Sequence, residues 1–116
     1  MSDPKKAATL DEITAALQAY ETNRVELLER AFEEGGTAAV TALEDEYQAL
    51  QSAFYDLLNR DLITNSAKYS GLMNETIAAT KAIQKSIDSL EKISSVLSAM
   101  AKTVSLVGRV LVLFGI

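Results

Sequence analysis

Carboxylates are the side chains of this sequence best placed to do chemistry. Glu44, Asp45 and Glu46 are consecutive, and Glu26, Glu29 and Glu33 recur at spacings that share one face of a helix. Grouped carboxylates can hold a divalent cation or divide acid and base roles between them. A calcium loop, however, alternates oxygen ligands around a glycine turn, and no such run occurs here. Both groups therefore read as solvated helix faces. Tyr20, Tyr47, Tyr55 and Tyr69 offer hydroxyls, but the spacing of Tyr20 and Tyr47 marks them as core residues with the hydroxyl at the rim. Histidine and cysteine are both absent. That excludes the usual zinc sites, Cys–His and Ser–His–Asp nucleophiles, and di-iron bundles built on Glu-x-x-His. Gly71 lies in a stretch without a phosphate-cradling pattern, and Asn74-Glu75-Thr76 matches the glycosylation triplet, which is common by chance. With no catalytic motif, metal site or cofactor site, the chain reads as non-enzymatic.

The elements that carry these residues are helices. The chain has 116 residues, the size of a single domain, and 48% of them are hydrophobic, which argues against disorder. A single proline and five glycines leave little to punctuate a sheet. The formal net charge of −5 is uneven: residues 1–60 hold twelve acidic and five basic side chains, residues 61–116 four acidic and six basic. Halves of opposite sign can attract one another within or between chains. No basic run or basic patch interleaved with aromatics points to nucleic acid. Residues 1–8 read as a flexible N-terminus. No apolar signal core follows Lys5-Lys6, so a cytoplasmic location or leaderless export is expected.

Helix 1 is expected over 9–34, with Thr9 and Glu12 as a capping box and Leu10, Ile13, Leu17, Tyr20, Leu27 and Phe32 as its stripe. Gly35-Gly36 ends it, and Thr37 starts helix 2 over 37–64. There Val40, Leu43, Tyr47, Leu50, Phe54 and Leu57 alternate steps of three and four, a heptad seam. So short a connection makes helices 1 and 2 an antiparallel hairpin. The hairpin with its glycine turn superficially resembles small secreted helical-hairpin proteins, but the chain has no tryptophan and so lacks their Trp-x-Gly signature, and nothing is carried over from them.

A long third helix is expected over 70–114. Ile83, Leu90, Leu97, Val104 and Leu111 lie seven apart, as do Ile93, Met100, Val107 and Phe114. Both series drift about 20° per heptad on an ideal helix, the mark of a left-handed supercoil. The fold class is thus all-α: an antiparallel helical hairpin plus a long third helix, an up-down-up bundle with coiled-coil-like packing. Ser94, Ser98, Ala101, Ser105 and Gly108 form a ridge of small residues that admits close approach of another helix.

A straight third helix would be about 65–70 Å long at about 1.5 Å per residue, against about 40 Å for its neighbours. Its far end, Val104 to Phe114, is apolar all round except for Arg109. Such a surface must be buried. It could fold back near Gly108, pack against a second copy or a helical partner, or enter a membrane surface with Lys85, Lys92, Lys102 and Arg109 towards anionic head groups. A simple span is disfavoured because the apolar run after Lys102 is shorter than the about 20 residues a bilayer requires. The leading expectation is an interaction protein that forms homo-oligomers or binds a partner through a seam of Leu97, Met100, Val104, Val107, Leu111 and Phe114. Membrane docking through the apolar C-terminal segment is the alternative.

Overall fold

A computed structural model describes residues 4–60, 67–89 and 91–113, and all four elements in them are helices. These are α1 (Pro4–Thr22), α2 (Arg24–Leu58), α3 (Ala67–Asp88) and α4 (Ile93–Leu113).

The first helix starts earlier than its sequence signals suggest. Pro4 suits the first helical position, where its missing N–H is no loss. Thr9 does not cap: it is fully buried, and its hydroxyl donates to the Lys5 carbonyl at 2.8 Å. Residues 4–8, expected to be flexible, are anchored. The Lys6 ammonium donates to the carbonyls of Leu58, at 3.1 Å, and Arg60. That of Lys5 donates to Asn74 Oδ1 at 2.9 Å.

Asn23 separates α1 from α2 without reversing the chain. Its N–H reaches the Ala19 carbonyl and its own carbonyl accepts from Leu27, so helical bonding passes through it. The reversal comes at Gly36, whose φ of 68° and ψ of −155° divide α2 into arms 24–35 and 37–58. That backbone region is essentially reserved for glycine. Gly35 is required for a different reason: a Cβ there would meet Ala39 Cβ at 2.9 Å.

The second arm returns antiparallel to α1, with Lys6 at Leu58 and Tyr20 at Glu44. The expected seam is what it turns inward. Leu43, Leu50 and Leu57 are fully buried, and Val40, Tyr47 and Phe54 pack beside them. Phe32, expected in the stripe of helix 1, is instead 61% exposed. The part of helix 2 expected over 61–64 lies outside the described residues.

The expected long third helix is two helices. Asp88 and Ser89 compete for backbone groups and weaken the helix there. The Glu91 N–H closes back on the Ser86 carbonyl at 3.1 Å, in the manner of a Schellman ending. Arg30 then donates to the Glu91 carbonyl, and a Glu34 carboxylate oxygen accepts the Ile93 N–H at 3.0 Å. A carboxylate at this point satisfies a free donor and the positive end of the α4 dipole. The length mismatch thereby vanishes: α3 and α4 are each about 32 Å long at about 1.5 Å per residue, within a molecule of 45 × 24 × 20 Å.

Four elements form a ring. α1 touches α2 and α3, α4 touches the same two, and the diagonal pairs do not meet among the described residues. α3 runs parallel to α1, since Asn74 lies at Lys5 and Gln84 at Glu12. The ring closes over a core that includes Ile13, Tyr20, Leu27, Leu50, Met73, Ile83, Met100 and Val107. Thr76, Thr80 and Thr103 are buried too, each with its hydroxyl on the carbonyl four residues earlier. Thr76, the last residue of the glycosylation triplet, is therefore inside the core.

Candidate functional site: the outer face of the C-terminal helix

α4 spends its apolar seam on its own chain. Ile93, Val96, Met100, Thr103, Val107 and Val110 are buried, in steps that alternate three and four. Two series were expected on this helix, and the structure adds a third, Val96, Thr103 and Val110. Thr103 hides that series in the sequence, because a hydroxyl breaks the apolar pattern even though Ala99 satisfies it. Of the expected assembly seam, Met100 and Val107 are in the core, and Leu97, Val104 and Leu111 are half-buried against it. Phe114 lies outside the described residues. Leu106, which is not part of the expected seam, is only 4% exposed.

The small-residue ridge faces the other way. Ser94, Ser98, Ala101, Ser105 and Gly108 are all exposed, and Val112, 69% exposed, continues their steps. α4 holds no acidic residue. Its outer surface carries a strip without charged side chains, with the exposed Lys102 and Arg109 on its α3 side and an acidic groove on its α2 side. Towards α2, Ala42, Asp45, Glu46, Leu97 and Ala101 line a groove of about 570 Å³. One Glu46 oxygen, Oε2, is buried without a hydrogen-bond partner. Towards α3, a groove of about 440 Å³ is bordered by Ala78, Ala82, Lys102, Ser105 and Arg109, with Glu75 opposing them.

The four basic residues of the expected membrane face are spread over α3, the connection after it and α4, and Lys102 and Arg109 border one groove. Lys85 is on α3 near its end, and Lys92 is in the connection that follows. Lys102 is midway along α4, and Arg109 is near its far end. By length and composition α4 could cross a membrane, with mean hydropathy 1.7 over its most apolar window. A helix that fills the core of a bundle meets the same measure, and a third of that window is buried here.

A cluster of shifted ionisable groups sits elsewhere, where α1, the start of α2 and the second arm of α2 meet. The rings of Tyr20 and Tyr47 stack with centroids 4.3 Å apart. Tyr20 donates to Glu44 Oε2 at 2.7 Å, and Arg24 forms an ion pair with the other Glu44 oxygen. Tyr47 donates to Glu21. Burial, reinforced by the Glu44 carboxylate, raises Tyr20 well above the usual phenol range. Burial and the Glu21 hydrogen bond push Tyr47 up to about 12. The Arg24 hydrogen bond leads in holding Glu44 below its ordinary value. Glu44 is thus a clamp between helices. Among the described residues no three carboxylates converge where they could hold a metal ion.

No family model matches the chain, and neither a curated protein nor a solved structure shows detectable similarity to it. The fold and surface define an all-helical bundle with one apolar helix, and its function must be argued from that surface.

Proposed function

We propose that this protein is a non-enzymatic helical interaction module that self-associates through the outer face of α4. The observation that carries this reading is the uncharged strip from Ser94 to Val112 on a molecule whose other helices all hold acidic residues. Small side chains permit close helix approach, and their alternating steps of four and three suit coiled-coil-like packing.

Charge selects a second copy and its orientation. Two strips facing one another about a twofold axis parallel to α4 set the Asp45–Glu46 groove of one copy beside Lys102 of the other. An antiparallel pairing sets acid against acid. The unpartnered Glu46 oxygen supplies an acceptor beside that contact. Complementary charge favours the parallel form and opposes the alternative.

Sedimentation equilibrium tests this. The intact chain should be a dimer, and Ser98→Glu/Ser105→Glu should be monomeric with unchanged helicity, because both positions are exposed. Asp45→Lys/Glu46→Lys should weaken the dimer, and adding Lys102→Glu should restore it. A wild-type chain that stays monomeric at high concentration, or a dimer untouched by the serine substitutions, sinks the proposal.

A further inference from the structure

The first arm of α2 directs both of its cations towards neighbouring elements. Arg24 pairs with Glu44 on the second arm, and Arg30 reaches the Glu91 carbonyl. Arg30 is thereby drawn away from Glu26, its natural partner four residues earlier. None of Glu26, Glu29 and Glu33 has an ion-pair partner among the described residues.

The outer side of the same arm carries an apolar ridge. Val25, Leu28 and Phe32 follow one another in steps of three and four. Val25 is 74% exposed, Phe32 is more exposed than buried, and Leu28 is half-buried. Leu28 and Phe32 border a groove of about 380 Å³ together with Glu29 and Glu33. At about 100° per residue, Glu29, Glu33 and Glu26 line one edge of the ridge. Arg30 and Glu34, which hold the connection before α4, lie beyond those acids, and Arg24 lies beyond the other edge. The surroundings do not offset the acidic edge. The second arm, residues 37–58, contains no lysine or arginine. Around the connection, Asp88 and Glu91 balance Lys85 and Lys92. The ridge and its edge lie wholly within residues 24–35.

Single apolar side chains on a surface are ordinary. Here three share a ridge beside an edge of one sign, and each feature specifies part of a partner. Alternating steps of three and four pack against a second helix. Carboxylates without cations of their own favour a partner with lysine or arginine beside its apolar residues, and oppose an acidic one. We propose that the outer face of the first arm docks a basic amphipathic helix of another protein. The partner's apolar anchors lie over Val25, Leu28 and Phe32, and its cations meet Glu26, Glu29 and Glu33. A second copy of this chain does not supply that helix. α3, which carries Lys81 and Lys85, exposes no large apolar side chain among its described residues. Lys102 and Arg109 flank the strip already assigned to the dimer. The docking face is on α2 and the dimer face is on α4, so either proposal can fail alone.

Fluorescence anisotropy of a labelled synthetic peptide of leucine and lysine, with its leucines at alternating steps of three and four, tests this. The peptide carries the whole of the specified chemistry, so it should bind the intact chain at low salt, and salt should weaken the complex. The same peptide with glutamate in place of lysine should not bind. Glu29→Lys/Glu33→Lys should lower the affinity at least about tenfold. Asp11→Lys/Asp56→Lys makes the same change in net charge and should leave the affinity within about twofold. Asp11 is about 21 Å from Val25 along the helix at about 1.5 Å per residue, and Asp56 is near Leu58, at the start of α1. Both are beyond the about 8 Å over which charges act at physiological salt. Phe32→Ser should also lower the affinity about tenfold with helicity unchanged. No binding at low salt, equal loss from the two charge reversals, or full binding by Phe32→Ser overturns the proposal. So does a fall in the solution mass of the chain alone on Phe32→Ser, which would make the ridge a contact between copies.

Discussion

Glu44 shows how one side chain holds two helices through protonation states. Its carboxylate accepts from Tyr20 and pairs with Arg24, and its folded-state affinity for a proton is lowered. A lowered value means that its stabilisation is complete above the ordinary carboxylate range, about 4.5, and is lost as pH falls through the folded value. Tyr47 has the opposite sign. Its value is pushed up to about 12, so its contribution is complete below the ordinary phenol value of about 10 and is lost as pH rises towards 12. Glu44→Gln should therefore be less stable than wild type by about 0.5–1.5 kcal/mol at neutral pH. Urea melts should show that difference closing as the solution is acidified below about pH 4. A constant difference across the acid range would mean that the charge on Glu44 contributes nothing. The sequence exposes only part of this cluster. Tyr20 and Tyr47 are legible as core by their spacing, but Glu44 looks like one of three solvated acids, because its partners are 20 and 24 residues away.

Turns separate what was legible at the level of elements from what was not. The hairpin turn was readable because its chemistry is local: paired glycines can hardly continue a helix. Gly36 sits at a φ that strains any other residue, with nothing within 4 Å of an added Cβ. Gly36→Ala should thus cost about 1–3 kcal/mol from backbone strain alone. Gly71 is exposed within α3, with equally open space around it. Gly71→Ala should stabilise by about 0.5–1 kcal/mol through helix propensity. Paired thermal melts should move in opposite directions; a shared direction would mean that Gly36 carries no strain. The α3–α4 connection was not readable, because its caps come from another element. Arg30 and Glu34, four residues apart on the first arm of α2, hold the Glu91 carbonyl and the Ile93 N–H. Nothing near Asp88-Ser89 in the chain announces them. The unbroken heptads of Ile83 to Leu111 also mimic one continuous helix, since each of two helices packed on a common core keeps the same period.

For the whole molecule, the ring of contacts decides how stability is distributed. The apolar C-terminal end was expected to demand cover. The bundle itself supplies much of that cover because the chain turns between the end of α3 at Asp88 and the start of α4 at Ile93, well before Gly108, where a fold-back was one of three expected ways to bury it. The accessible surface of 6545 Å² is close to the about 6,200 Å² expected for a folded monomer of this mass. Since α1 packs on α3 and α4 packs on the second arm of α2, the N-terminal hairpin does not complete a core by itself. Met100, fully buried on α4, is far in sequence from Tyr20 and Tyr47, which report on that hairpin. If the ring unfolds as one unit, Met100→Ala should lower stability by about 2–5 kcal/mol, and tyrosine fluorescence and helical circular dichroism should move to the same lower urea midpoint. If the hairpin were a unit of its own, the tyrosine transition would stay in place while part of the helical signal melted earlier. The side-by-side geometry favours the first outcome: losing α4 uncovers Leu50 and Leu57 on the second arm and Ile83 on α3 together, and neither half has another surface with which to replace that contact.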